Sequence, residues 1–393
     1  MATETLATPR RSSLWTDQKF RSIFFQALTI GILGFAIAFI AHNTATNLEN
    51  RGIASGFGFL SNTAGYELEN TLIPYDSTDT HFRAFLVGLT GTLFVAFFGC
   101  IFATVFGFIL GVLRLSHNFL INRVAYTYVE IVRNVPLLLQ IFVWWAILLA
   151  LPVVRESFYL GSGMYFYNGG LKAPSPIFGD LFWMTPVALF VAIGAAIGIG
   201  RWAKKRQDAT GQTFPAFWTG FGLIFALPVM TFFATGAPLE WEVPTLGRFR
   251  FSGGLAITDM FLALLIALAA YTAAFIAEIV RAGILAVSKG QTEAAYALGI
   301  KPSRTLRLVV IPQALRVIVP PLTSQYLNLT KNSSLGAFIG YPELVATIGG
   351  ITLNQTGQAV ECILITMAVY LTISLSISAF MNWYNRSIAL VER

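Results

Sequence analysis

A lysine, two asparagines and two serines stand together where the chain is otherwise apolar. In "TSQYLNLTKNSS" these are Lys331, Asn328, Asn332, Ser333 and Ser334, inside an apolar run over roughly Leu315–Tyr341. Such side chains are unstable against lipid, so this span must face protein or a wet cavity. The lysine's positive charge suits a carboxylate, and the amides and hydroxyls offer further hydrogen bonds. One reading is a lined solute pathway; the other is a polar network that ties helices together.

A second pattern occurs twice. Glu-Ile-Val-Arg stands at Glu130–Arg133 and again at Glu278–Arg281. Residues three apart share a helix face, so each glutamate is expected to pair with its own arginine. Unpaired charge at a helix centre costs about 2.5–3.5 kcal/mol on insertion scales. The pairs either neutralise themselves near the headgroups or line and gate the inner half of a pathway.

The third candidate is "KGQTEAAYALG", Lys289–Gly299, a polar stretch between two apolar runs. Ser288 and Gln291 have capping-box spacing. Glu293 falls in the first turns, where the helix dipole favours an anion. Ala294, Ala295, Ala297 and Leu298 favour a helix, and Gly299 stands where a left-handed cap would end it. Pro302 can then open a second short helix. The small alanines leave a slim face that another protein could approach closely; an ordinary loop helix on the membrane surface is the competing reading.

The elements that must position these groups follow from composition. Of 393 residues, 55% are hydrophobic and 11% charged, against about 25% charged in soluble domains. Eight apolar runs are long enough to span a bilayer as helices: roughly Ser22–Ala41, Ala84–Leu113, Ala125–Pro152, Trp183–Gly200, Ala216–Thr235, Leu255–Ala286, Leu315–Tyr341 and Val360–Tyr384. Pro228 should kink the fifth without ending it. The first run is long for a signal peptide and reads as an uncleaved anchor. With both termini in the cytoplasm, the inside segments hold seventeen of the 26 Lys and Arg, and the outside segments hold only Arg51, Arg83, Arg155, Lys172, Arg248 and Arg250. The inside set includes Arg10, Arg11 and Arg393. The bias fits the positive-inside rule and explains the net charge of +7 without a nucleic-acid partner. The "RWAKKR" run, Arg201–Arg206, reads as a surface for anionic membrane lipid. Cys100 and Cys362 lie in apolar runs, which argues against a disulfide framework or a zinc site. No Asp lies deep in a span, and His42, His81 and His117 fall outside the spans, which argues against intramembrane hydrolase chemistry. No G-x-x-x-x-G-K-[ST] phosphate loop is present.

A longer string carries a resemblance. "EAAYALGIKPSRTLRLVVIP" places Glu293, Ala294, Ala295, Gly299, Val309, Ile311 and Pro312 at the spacing E-A-A, three residues, Gly, nine residues, aliphatic, any residue, aliphatic, Pro. It resembles the cytoplasmic coupling loop of binding-protein-dependent ABC importer permeases. Ile and Leu are commoner there than Val309 and Ile311. "EIVRNVPLLLQIF" and "KNSSLGAFIGYPEL" are similar to segments of the polar amino-acid branch, with Asn134 where Gly is common. The enlarged layout resembles the Q-type permeases of general L-amino acid uptake systems, or their glutamate/glutamine/aspartate/asparagine relatives.

The resemblance implies an all-α integral membrane protein with about eight transmembrane helices. The fold would be the type I ABC importer permease fold with a five-helix core. It implies a cytoplasmic tail over 1–21, a first helix and periplasmic segment over 22–83, and a permease domain over 84–390. Within that domain, 153–254 would be an insertion with two extra helices and 286–312 the coupling loop. Glu293, Ala294, Ala295, Gly299 and Pro312 would couple to an ABC ATPase dimer that handles ATP and Mg; this chain would bind no cofactor and have no catalytic residue or metal. Further implied partners are a second permease subunit, expected to be a different chain, a periplasmic amino-acid-binding protein and the L-amino acid substrate. The location would be the bacterial inner membrane. An ion-coupled secondary transporter is the competing class; it too would place polar side chains near the midplane, but without a docking helix.

Overall fold

A backbone in lipid must satisfy its N–H and C=O groups within its own segment, and the long apolar runs fold as helices. The computed structural model describes residues 18–50, 52, 55–69, 71–247 and 250–388. Most of the expected tail, together with Arg10, Arg11, Arg51, Arg248 and Arg393 of the charge map, lies outside the described residues. The helices are α1 (Gln18–Asn50), α2 (His81–Leu113), α3 (Phe119–Asn134), α4 (Leu137–Leu149), α5 (Met184–Thr210), α6 (Ala216–Ala234), α7 (Asp259–Leu285), α8 (Lys289–Ala297), α9 (Pro302–Thr305), α10 (Ile311–Asn332), α11 (Leu353–Thr356) and α12 (Ala359–Ile388). Among the described residues, seven helical segments are long and apolar enough to cross a membrane, and the bent pair α3–α4 makes a possible eighth.

That pair corrects the third expected span, Ala125–Pro152, which is broken rather than continuous. The two helices bend by 107° at the break. Pro136 has no N–H to donate, and it drives Val135 into extended backbone at φ −96° and ψ 130°. Gln140 closes the elbow: its side-chain amide donates to the carbonyls of Val132 at 2.8 Å and Val135 at 2.9 Å. Pro228, by contrast, lies inside α6 and the helix runs through it.

The described residues form two compact units, those within 91–342 and 376–393 and those within 1–90 and 343–375. In the first, α7 is the central helix. Its alanines at 263, 267, 273, 274 and 277 are fully buried, and Leu264, Leu268, Ile276 and Ile318 fill the core around them. Glycines bring α2 close to it. A Cβ at Gly107 would lie 2.6 Å from Cβ of Ile276, and one at Gly111 would lie 2.7 Å from Cβ of Val280. Two glycines four residues apart on one helix face permit this near-backbone packing. Helices α5 and α6 pack mainly against each other, with Gly220 on Ala196.

The second unit is built around Phe59, Leu344, Ile348 and Cys362. Buried Glu343 accepts hydrogen bonds from the backbone N–H groups of Val345 and Ala346 and from the Tyr370 hydroxyl. It therefore caps the helical segment that runs from Val345 through α11.

The all-α expectation needs one addition. Among the described residues, eight short strands form three small antiparallel sheets: β1 (Phe158–Gly161), β2 (Met164–Tyr167), β3 (Gly170–Ala173), β4 (Ser175–Phe178), β5 (Leu239–Glu242), β6 (Thr245–Leu246), β7 (Phe251–Ser252) and β8 (Leu255–Thr258). The order β1-β2-β3-β8 makes the four-stranded sheet, and β4 pairs with β5 and β6 with β7. Leu255–Thr258 was expected to begin the sixth span. It pairs with β3 instead, and Thr258 then caps α7 by accepting from the Phe261 N–H.

Candidate functional site

The polar stretch Lys289–Gly299 is a helix, α8, and its two ends are made differently. At its start the expected capping box is absent. The Ser288 side chain makes no cap hydrogen bond. The Gln291 side chain meets Gln313 of α10 at 3.3 Å instead of reaching back to Ser288. Glu293 is exposed and lies beyond the first turn. At its end, Gly299 takes φ +73°. Its N–H donates to the Tyr296 carbonyl at 2.9 Å, and the Ile300 N–H donates to the Ala295 carbonyl at 3.1 Å. These two bonds are the Schellman pair, which needs a left-handed residue at the first position past the helix. Ala295 is buried, while Glu293, Ala294, Tyr296 and Leu298 are exposed.

Beyond Gly299 the structure departs from the expected second short helix. Pro302 opens α9, but the helix does not stop. It passes through a π-helical turn over Leu306–Val310 into α10, then through a 3₁₀ turn over Ser333–Ile339. Pro312 accounts for the π turn: it cannot donate to the Leu308 carbonyl and its ring crowds that group. The Ile311 N–H reaches the Leu306 carbonyl five residues back. A single helical stretch, Pro302–Ile339, thus runs from the short link after α8 into the polar segment. At 1.5 Å per residue, the distance from Pro302 to Lys331 along it is about 45 Å.

On α10, Pro321, Ser324, Asn328 and Lys331 are exposed at helical spacing and form one stripe. The opposite side, with Ile318, Leu322 and Leu329, is buried in the core. Asn328 and Lys331 thus share an uncovered face of this chain. Asn332 is half-buried. Ser333 and Ser334 are brought nearby, but their hydroxyls donate back to the carbonyls of Thr330 at 2.7 Å and Lys331 at 2.8 Å. They steady the turn out of α10; Ser333 is fully buried, and Ser334 keeps only acceptor capacity for anything else. An apolar groove of about 520 Å³, lined by Phe102, Phe106, Tyr128, Trp144, Leu265 and Ala269 among others, holds no charged or amide group.

The two Glu-Ile-Val-Arg segments behave differently. Glu278 and Arg281 pair as expected, with the guanidinium donating twice to Oε1 at 2.6 and 3.1 Å. The other carboxylate oxygen, Oε2, binds Nη1 of Arg114. Glu130 and Arg133 form no ion pair, which corrects the expectation for that segment. The Arg133 guanidinium lies over the Phe275 ring, 5.0 Å from its centroid, and its Nε is buried without a hydrogen-bond partner. Tertiary packing against α7 prevails over the local i, i+3 pairing. The Arg114–Glu278 pairing spans 164 residues and has no local signal in the sequence. The role of Gln140 was also missed, although a helix-breaking proline followed by an amide one turn on was visible. Among the described residues no group of three His, Cys, Asp or Glu side chains could hold a metal ion.

Comparison with known proteins adds the wider frame. Residues 209–390 match the family described as binding-protein-dependent transport system inner membrane component. The chain is 52% identical over 384 residues to the general L-amino acid transport system permease protein AapQ of Rhizobium johnstonii, covering 98% of this chain and 96% of that one. It is 48% identical to the putative amino-acid ABC transporter permease protein YhdX of Escherichia coli K12, over 98% and 99% of the two chains. It is 47% identical to the glutamate/glutamine/aspartate/asparagine transport system permease protein BztB of Rhodobacter capsulatus, over 98% and 97%.

Proposed function

The chain belongs to the binding-protein-dependent transport system inner membrane components, among the amino-acid ABC permeases, and from that premise we propose how it works. It is a multi-pass inner-membrane permease subunit of an ATP-driven L-amino acid importer. It forms part of the translocation pathway, and ATP hydrolysis belongs to a partner. The polar stripe of α10 is the part of the pathway contributed by this chain. Lys331 meets the substrate α-carboxylate and Asn328 adds hydrogen bonds, which leaves the variable side chain free. A second permease, a different chain, covers the opposite side.

On this reading α8 is the docking helix for an ABC ATPase dimer, which handles ATP and Mg. Both termini and α8 lie in the cytoplasm, and a periplasmic binding protein delivers the substrate from outside. The observation that carries the reading is the continuous helical stretch that starts at Pro302, one short link beyond α8, and runs through Lys331. Movement of the docking helix then shifts the residues that face the solute. The Glu278–Arg281 pair sits on α7, the other helix that leads into α8, and belongs to the gate at that end.

Purification from native membranes in mild detergent tests the assembly. The expected result is copurification of an ABC ATPase and a second permease in fixed ratio. A lone chain that supports proton-driven uptake without ATP would overturn it.

A further inference from the structure

We propose that Arg114 is a positioning residue of coupling, which ties α7 through Glu278 to α2 and α3 so that motion of α8 reaches them. The inference rests on the reading of α8 as the docking helix.

Three observations converge on Arg114. First, it is the residue immediately past α2, and its side chain is only 7% exposed against 29% for Glu278. Second, it touches two other elements, α7 and α3. Its guanidinium binds Glu278 of α7 and lies over the Tyr126 ring of α3 at 5.2 Å, and its carbonyl accepts from the Asn122 side chain of α3 at 2.5 Å. Third, the close crossing at Gly107 and Gly111 holds α2 against α7 just before this point. The Glu278–Arg281 pair lies within one helix, so it cannot transmit a displacement to another. Between Glu278 and α8 there is one further stretch of α7 and the short link Ala286–Ser288. A pull on α8 therefore acts first on the helix end that Arg114 holds.

The asymmetry in burial orders the variants. Arg114→Gln leaves Glu278 with Arg281 as partner. Glu278→Gln leaves a buried arginine without its carboxylate, which is the costlier loss. The double variant removes both charges together.

The test uses the purified complex with its ATPase, its second permease and its binding protein loaded with L-glutamate. The readout is the ratio of ATP hydrolysis with and without the loaded binding protein. Arg114→Gln should assemble and lower this ratio by about fivefold or more, the lower end of ordinary coupling effects. The Arg114→Gln/Glu278→Gln double variant should lower it no further than either single change, because the two residues act as one unit. Arg114→Lys keeps the charge and should retain more than half of the ratio, which a purely space-filling role would not predict. A wild-type ratio in Arg114→Gln, or in the double variant should the single one fail to assemble, overturns the proposal. So does a double variant in which the two losses multiply. Gly299→Val in the same assay separates the two readings. If it keeps the wild-type ratio, the docking reading fails; if it loses the ratio while Arg114→Gln keeps it, only the role of Arg114 fails.

Discussion

The side chain of Gln140 donates to the carbonyl of Val132, across the break that Pro136 makes between α3 and α4. A second bond to Val135 completes the elbow. In a membrane span, carbonyls freed by a proline find no water, so a side-chain donor must replace it. Gln140→Leu keeps the size and removes both bonds. It should destabilise the permease by about 1–3 kcal/mol, two hydrogen bonds at the usual ~0.5–1.5 kcal/mol each. A thermal unfolding series in detergent checks this, and a midpoint equal to wild type would remove the elbow role.

The α2–α7 crossing should tolerate no side chain at its glycines. A Cβ at Gly111 would also lie 2.8 Å from the Ala277 carbonyl, a backbone group that cannot swing away. Gly111→Val should cost about 1–3 kcal/mol through overpacking. Gly194, with nothing within 4 Å of its own missing Cβ, should accept alanine with no loss. Equal stability of the two variants would contradict the packing described.

Much of the membrane architecture was legible in the sequence because apolar length alone marks a span. The C-terminal cap of α8 was legible too, since only the local backbone decides where a left-handed glycine is wanted. The start of α8 was not. Gln291 finds Gln313, a partner 22 residues away that no capping pattern encodes. The strands were missed because each is two to four residues long, too short for an alternating pattern to emerge. The Glu130 and Arg133 expectation failed for the same reason that Arg114 went unnoticed. Local spacing proposes pairs, and packing between distant helices chooses among them.

The charge map predicts topology. A cysteine placed near Lys205 should be labelled by an impermeant maleimide only from the cytoplasm, and one near Lys172 only from outside. The reverse pattern would place α8 on the wrong side for any ATPase.

Lys331→Met should assemble normally and lose uptake of acidic and neutral amino acids together. A charge-assisted hydrogen bond contributes about 1.5–3 kcal/mol, which corresponds to a loss of roughly tenfold to a hundredfold. Lys331→Arg keeps the charge in another shape and should lose less. Uptake of labelled L-glutamate and L-leucine by whole cells measures both. Selective loss of one substrate, or none, would move the carboxylate site to the other permease.

The central claim is that α8 connects this chain to an ATPase, and one measurement tests it most directly. Glu293→Lys reverses an exposed charge on α8. Gly299→Val puts a β-branched residue at φ +73°, which costs about 1–2 kcal/mol and loosens the helix end. ATP hydrolysis by the assembled complex, with and without loaded binding protein, is measured at matched permease content. Both variants are predicted to insert and assemble yet lose most of the stimulated hydrolysis and of the uptake that depends on it. Full stimulation in an assembled complex carrying either change would contradict the account.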